Sequence, residues 1–192
     1  IRNCTNQPKC ECQKNIRYRI LLSISNHRIR DESFAHTHRL LMSNPIYFWF
    51  RRDLRLNDNH GLYQTLQLAA SQQLRVQCVF IFDTNILSRL SNKHDARVQF
   101  LHREISSLKK ELRSHGSDLE VWHGNPIALW ENAIVQNTPY AIFCNSDYEP
   151  SAIKRDHAIA EICNTHNVSF QSYKDICIFE KSEVVKDDSK PY

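Results

Sequence analysis

Glycine is scarce in this chain, which carries only three among its 192 residues: Gly61, Gly116 and Gly124. Dinucleotide-binding loops of the form G-x-G-x-x-G and P-loops of the form G-x-x-x-x-G-K-[ST] both need glycines at short, fixed spacing. The three glycines here lie too far apart to build either motif. The sequence therefore excludes a ligand held by a glycine-rich pyrophosphate loop.

Long apolar runs are also lacking, since no stretch approaches the roughly 18 apolar residues of a membrane-spanning helix. The apolar run at residues 20–24 is too short for a signal peptide and has no small-residue cleavage site. Cys4, Cys10 and Cys12 have a C-x5-C-x-C spacing that matches no usual zinc framework. We expect a reduced, cytoplasmic protein with no membrane partner and no bound metal.

Methionine occurs once, at Met42, close to a change in charge. Residues 1–41 contain eight Lys/Arg against three Asp/Glu, whereas the rest of the chain has a slightly negative balance. We therefore expect Met42 to be the natural start and residues 1–41 to be a non-native or disordered basic extension that adds little stability. Residues 42–192 are long enough for one domain with its own core.

Apolar strand patterns and helical patterns alternate five times between residues 44 and 180. The predicted strands are 46–50, 76–82, 119–122, 141–144 and 168–173, and the predicted helices are 60–72, 95–114, a helix opened by Asn125 and Pro126, and 151–166. Alternation at this spacing, without hairpin signals, is typical of parallel sheets. The sequence predicts an α/β fold: a Rossmann-like, five-stranded parallel sheet with helices on both faces.

Polar side chains follow three of the predicted strands. The first strand ends abruptly at Arg51 in a cluster that includes Asp53 and Arg55, the second ends at Asp83, and the fourth at Asn145. One interpretation is an ion-pair network that fixes a loop, with Asp53 between the two arginines. The other is a pocket that orients a planar ligand, because ligands of doubly wound sheets bind beyond the strand carboxyl ends.

Three segments resemble the photolyase/cryptochrome family. The run WFRRDLRLNDN, residues 49–59, is similar to the family's opening W-F-R-x-D-L-R-x-x-D-N. The run NSDYEPSAIKRD, residues 145–156, resembles N-x-x-Y-E-P-x-x-x-x-R-D. The ending SKPY, residues 189–192, resembles the G-x-P-Y that leads into the family's interdomain linker, with Ser189 in place of glycine.

This resemblance implies that residues 42–192 are the N-terminal α/β domain of the family, ending in the interdomain linker. In the family, FAD and the damaged-DNA pocket belong to a C-terminal helical domain, which this sequence does not contain. We expect the intact protein to be a DNA photolyase that repairs DNA with light, and this chain alone to be inactive. The alternatives are a cryptochrome-type blue-light sensor and a nucleotide-binding α/β module without photochemistry.

Many family members carry a light-harvesting antenna in this domain, which implies a deazaflavin, FMN or folate site here. Folate-binding members have an Asn-Glu pair where this chain has Ser151 and Ala152, and neither residue offers a carboxylate to a pterin. A deazaflavin or FMN is therefore the better expectation. No catalytic set stands out, and the predicted antenna residues are Phe50, Arg51, Asp53, Asp83, Asn145 and Glu149.

Overall fold

The computed structural model describes residues 44–92, 95–179 and 183. They form one five-stranded sheet in the order β3-β2-β1-β4-β5, with every neighbouring pair parallel. The strands are β1 (Ile46–Phe50), β2 (Val76–Asp83), β3 (Leu119–Gly124), β4 (Ala141–Asn145) and β5 (Ser169–Tyr173). The helices are α1 (His60–Gln72), α2 (Thr84–Leu87), α3 (Ala96–Ser114), α4 (Pro126–Asn137) and α5 (Pro150–Thr165). The predicted Rossmann-like α/β fold is confirmed.

The predicted extension at residues 1–41 and the linker-like ending at residues 189–192 lie outside the described residues. Within the described residues, the strand and helix predictions differ mainly at their ends. β3 continues to Gly124, and the short helix α2 follows β2 at once, because the Asp83 side chain accepts a hydrogen bond from the Asn85 amide at 2.8 Å. No helix in the described part of the chain is long and apolar enough to cross a membrane.

Two apolar layers cover the two faces of the sheet. One joins the sheet to α1 and α3 through Leu62, Ile105 and Leu108, and the other joins it to α4 and α5 through Trp130 and Ile159. The central strand β1 is buried along its whole length, which explains why it reads as an unbroken apolar run. The core therefore sits on both sides of β1, and the polar loops begin where β1 ends.

The strand order reverses at β1, since β2 and β3 lie on one side of it and β4 and β5 on the other. The carboxyl ends of β1 and β4 consequently form the topological switch point of the sheet, where doubly wound folds place their ligands. The two segments that follow these strands carry most of the polar residues singled out from the sequence.

Candidate functional site

Asn145, the last residue of β4, is the centre of a buried polar network at the switch point. Its side-chain amide donates to Asp53 Oδ2 at 2.5 Å and to Asn59 Oδ1 at 2.8 Å. Asn59 also donates to Asp53 Oδ2 at 3.1 Å, and Asp53 Oδ1 accepts from the Arg51 amide at 2.8 Å. Asp53, Asn59 and Asn145 are each at most 3% exposed. Hydrogen bonds within the network offset the cost of burying these groups, and the network ties β1, β4 and the start of α1 together.

The amino terminus of α1 is filled by the protein's own side chains. The amides of His60, Gly61 and Leu62 donate to Asp175 Oδ1 at 2.9 Å, Asn145 Oδ1 at 2.8 Å and Asn59 Oδ1 at 3.0 Å. Helix amino termini bind phosphate through such unpaired amides. Here three side-chain oxygens already occupy the place that a ligand phosphate would take.

Gly61 makes this arrangement sterically feasible. A Cβ atom at this position would lie 2.4 Å from Asn145 Oδ1 and 3.0 Å from a Phe48 ring carbon. The glycine is therefore needed so that Asn145 can approach the helix, and not for a pyrophosphate. It has a packing role that its isolation in the sequence does not reveal.

Arg51 does not pair with Asp53, so the predicted ion-pair network is wrong in its partners. The Arg51 guanidinium bonds both oxygens of Asp156 on α5, at 2.8 and 2.7 Å, and also reaches the Cys144 sulfur and the Asn145 carbonyl. Arg55 pairs instead with Asp175 at 2.8 Å. Asp53 instead accepts from the side-chain amides of Asn59 and Asn145, while the Arg51 side chain extends to Asp156 on α5.

The Trp49 ring contacts two guanidinium groups beside this ion pair. The Arg51 and Arg155 guanidinium carbons are 4.9 and 4.8 Å from the Trp49 ring centroid, and both arginines bond Asp156. Burial raises the pKa of the neighbouring Cys144 thiol to about 12. Cys144 is thus a neutral thiol at physiological pH, and the cluster contains no activated nucleophile.

A cavity of about 300 Å³ opens beside the network, between β4, β5 and α5. Its lining includes Ser146, Asp147, Tyr148, Asp156, His157 and Phe170. Asp147 is 11% exposed and faces Arg52 at 3.5 Å, and Arg52 also pairs with Glu149 at 2.5 Å. A volume of about 300 Å³ is at the lower end of small-molecule sites, and both polar and aromatic groups face it.

The predicted antenna residues separate into four groups. Arg51, Asp53 and Asn145 come together in the buried cluster, and Glu149 lies at the rim through its pair with Arg52. Phe50 is fully buried against Phe48 and presents no surface to a ligand. Asp83 caps α2 and contributes to neither the network nor the cavity.

Sequence reasoning missed four residues of this region: Asn59, Gly61, Asp156 and Asp175. Asn59 and Asp156 lie inside the quoted motifs, so the motifs themselves carried a signal for them. Asp175 had none, because its partner His60 is 115 positions earlier in the chain. Among the described residues, no group of three or more His, Cys, Asp or Glu side chains is arranged to hold a metal ion.

Comparison with known proteins agrees with this geometry. A family model for DNA photolyase matches residues 46–192. A deoxyribodipyrimidine photo-lyase from Synechococcus is 30% identical over 151 residues, covering 79% of this chain and 30% of the relative. Cryptochrome-2 of Arabidopsis thaliana is 28% identical over 153 residues, covering 79% of this chain and 24% of the relative.

Among solved structures, the photolyase of Sulfolobus tokodaii shares 34% identity at a TM-score of 0.59, covering 74% of this chain and 32% of its own. That crystal structure is described as containing two FAD molecules, with the implication of a novel light-harvesting cofactor. The fold and site thus define a doubly wound α/β domain whose switch point is closed by its own side chains. The chain belongs to the DNA photolyase family, and it spans between about a quarter and a third of the length of these relatives.

Proposed function

We propose that this chain is the N-terminal α/β domain of a photolyase-type flavoprotein that repairs DNA with light. Support comes from the family match over residues 46–192 and from the two motifs that build the switch-point network. In this proposal residues 42–192 form the domain, FAD binds in a downstream helical domain, and damaged DNA contacts the intact protein only. The chain alone is then inactive in repair, and the intact protein acts in the cytoplasm.

The domain's own task in this proposal is to hold a light-harvesting antenna at the strand carboxyl ends. The observation that carries this is the cavity of about 300 Å³ next to Asn145, lined by Asp147, Tyr148 and Phe170. Because the amides of the α1 amino terminus are occupied, this helix terminus offers no free amide to a diphosphate. A planar chromophore such as a deazaflavin or FMN has no diphosphate and therefore does not need such an anchor.

Folate fits this edge less well. Ser151 is exposed in the first turn of α5, whereas Ala152 is turned inward and only 5% exposed. Neither side chain presents a carboxylate to the cavity, so a pterin would lack its bidentate acceptor. We therefore place folate behind deazaflavin and FMN.

A titration of the purified chain tests the antenna proposal. FAD, FMN, a deazaflavin and methenyl-folate are added in turn and their fluorescence is followed for the parent and for Asp147→Asn. We expect FMN or the deazaflavin to bind, and Asp147→Asn to weaken binding about tenfold through loss of a charged partner. Asp118→Asn is the matched control, since Asp118 is an exposed carboxylate at the far end of the sheet. Equal affinity in both variants, or submicromolar FAD binding, would overturn the proposal.

A cryptochrome-type sensor is the second candidate, favoured by the 28% identity to Cryptochrome-2. Relatives of both classes match this chain over about the same length, so the choice rests on the reaction of the full-length protein. Light-driven repair of pyrimidine dimers by the full-length protein would establish the photolyase. Flavin photoreduction without repair would establish the sensor.

A nucleotide-binding module without photochemistry is disfavoured by the α1 amino terminus. A nucleotide phosphate would have to displace Asp175, Asn145 and Asn59 from the amides of His60, Gly61 and Leu62. Two of these three side chains are buried members of one hydrogen-bonded network. Displacing them would leave several buried polar groups without partners, which costs about 1–3 kcal/mol each.

A further inference from the structure

A second, larger cavity runs along the face of the sheet that packs on α4. It is a groove of about 820 Å³ on the α4 side, with Tyr47, Gln77, Glu120 and Trp122 on its sheet wall. Helix α4 forms the facing wall through residues such as Gln136. Tyr47 precedes Arg51 by four residues of extended chain, which corresponds to about 13 Å. The groove shares no lining residue with the cavity beside Asn145.

The groove exists because β3 is an edge strand whose α4-facing side is only partly covered. The polar residues on this wall are held in place by each other: Gln77 donates to one Glu120 oxygen, and the Trp122 indole N–H donates to the other at 3.1 Å. Trp122 also packs edge-to-face on Trp130, with ring centroids 5.0 Å apart. The half-buried Trp122 ring is thus a fixed aromatic wall of the groove.

Two donor groups in the groove, the Tyr47 hydroxyl and the Arg75 guanidinium, have no acceptor among the described residues. Tyr47 is 3% exposed, and its hydroxyl accepts from Asn137 at 3.5 Å, yet the O–H finds no acceptor in the described part of the chain. Burial raises the pKa of Tyr47, so the phenol keeps its proton at neutral pH. Arg75 lines the same groove and, within residues 44–92 and 95–179, forms no ion pair.

We propose that this groove binds a small organic anion with a planar ring. The ring lies against Trp122, a ring or linker oxygen accepts the Tyr47 hydroxyl proton, and the anionic group pairs with Arg75. The anion has to be several bonds away from the ring, because the tryptophan and the arginine lie toward opposite ends of the groove. Glu120 keeps its negative charge, but its two oxygens are hydrogen-bonded to Gln77 and Trp122, and the anionic group lies at the Arg75 end of the groove.

Three probes test ring binding and anion binding in the groove separately. FMN carries both a ring and a phosphate, riboflavin carries the ring alone, and inorganic phosphate carries the anion alone. Proton–nitrogen NMR spectra follow the indole N–H of Trp122 for the groove and the Ser146 amide for the carboxyl edge. The Trp122 signal is assigned with Trp122→Phe. We expect FMN to shift the Trp122 signal at lower concentration than either partial probe does.

Arg75→Gln should weaken the FMN response at Trp122 about tenfold and leave the riboflavin response unchanged. Tyr47→Phe should weaken the responses to both flavins. Arg89→Gln is the matched control, because Arg89 is an exposed arginine beyond α2. An unshifted Trp122 signal at millimolar FMN, or equal shifts in the parent, Arg75→Gln and Tyr47→Phe, would overturn the proposal. The Ser146 amide reports on the antenna site separately, so failure at one site leaves the other readable.

Discussion

Polar residues at the two ends of the sheet differ in whether their hydrogen bonds are satisfied within the protein. At the carboxyl end, Asp53, Asn59 and Asn145 are buried and satisfy one another. At the amino end, Tyr47 and Arg75 face an open groove with donors that the described residues do not use. The first end has the denser charge in the sequence, and the second drew no prediction at all.

This difference teaches that a charged cluster next to a strand is weak support for a ligand site. Most of the polar residues after β1 hold the loop, the helix and the next strand together, and only the rim around Asp147 remains open to a ligand. A polar group is available for binding when its own fold leaves it with unspent hydrogen bonds. The predictions below test how much the polar residues at the carboxyl end contribute to the stability of the fold.

The largest effect is expected at Asp53. In Asp53→Asn an amide replaces a carboxylate that accepts from the Arg51 amide and from two asparagine side chains. At least one buried donor then faces another donor, so we expect a loss of about 2–4 kcal/mol in the free energy of unfolding. Urea unfolding measures it. Asp58→Asn is the control, since the Asp58 side chain has no hydrogen bond within the described residues, and it should change stability by less than about 0.5 kcal/mol. Similar losses in both variants would mean that the network does not stabilise the fold.

Gly61→Ala should cost about 1–3 kcal/mol, because the new methyl group meets Asn145 Oδ1 at 2.4 Å. In Asn145→Ala that oxygen is already gone, so adding Gly61→Ala should then cost far less. A double-mutant cycle by urea unfolding gives the coupling between the two positions. Strictly additive losses would contradict the close approach of Asn145 to α1.

Asp175→Ala should cost about 1–2 kcal/mol, the usual effect of removing a helix cap. It removes the acceptor of the His60 amide and the partner of Arg55. The neighbouring Lys174 pairs with Glu183 near solvent, so Lys174→Ala should change stability by less than about 0.5 kcal/mol. If thermal unfolding ranks the two variants the other way round, Asp175 does not anchor α1.

The smallest effect is expected at Asp118, far from both sites. Hydrogen bonds from Arg113 and Lys109 lower the pKa of Asp118 from 3.8 to about 2. Because the folded pKa lies below the unfolded one, this stabilisation is present above about pH 4 and is lost as the pH falls toward 2. Asp118 is half exposed, so solvent screening limits the contribution to less than about 1 kcal/mol. The stability gap between the parent and Asp118→Asn should close between pH 4 and pH 2. If the stability difference stays constant over this pH range, it does not arise from the charge of Asp118.

Local periodicity predicted the sheet well and the polar contacts poorly. The buried run of β1 and the apolar stripe of α3 are visible in the sequence, and Ile105, Leu108 and Leu112 are buried as the stripe predicts. Arg51 pairs with Asp156 on α5, which lies 105 residues later in the chain. The spacing of residues near Arg51 carries no information about so distant a partner. The predicted ion pair between neighbours therefore failed, although the same residues do lie at the switch point.

The most direct test of whether the switch point is closed to ligands is an NMR measurement on the Gly61 amide. Its hydrogen exchange and chemical shift are measured by NMR in the free protein and after adding FMN or ADP. We predict slow exchange and an unchanged shift with either ligand, because Asn145 holds this amide in a buried network. Fast exchange in the free protein, or a shift with added protection when ADP binds, would show that the helix terminus is open to phosphate and would contradict the account.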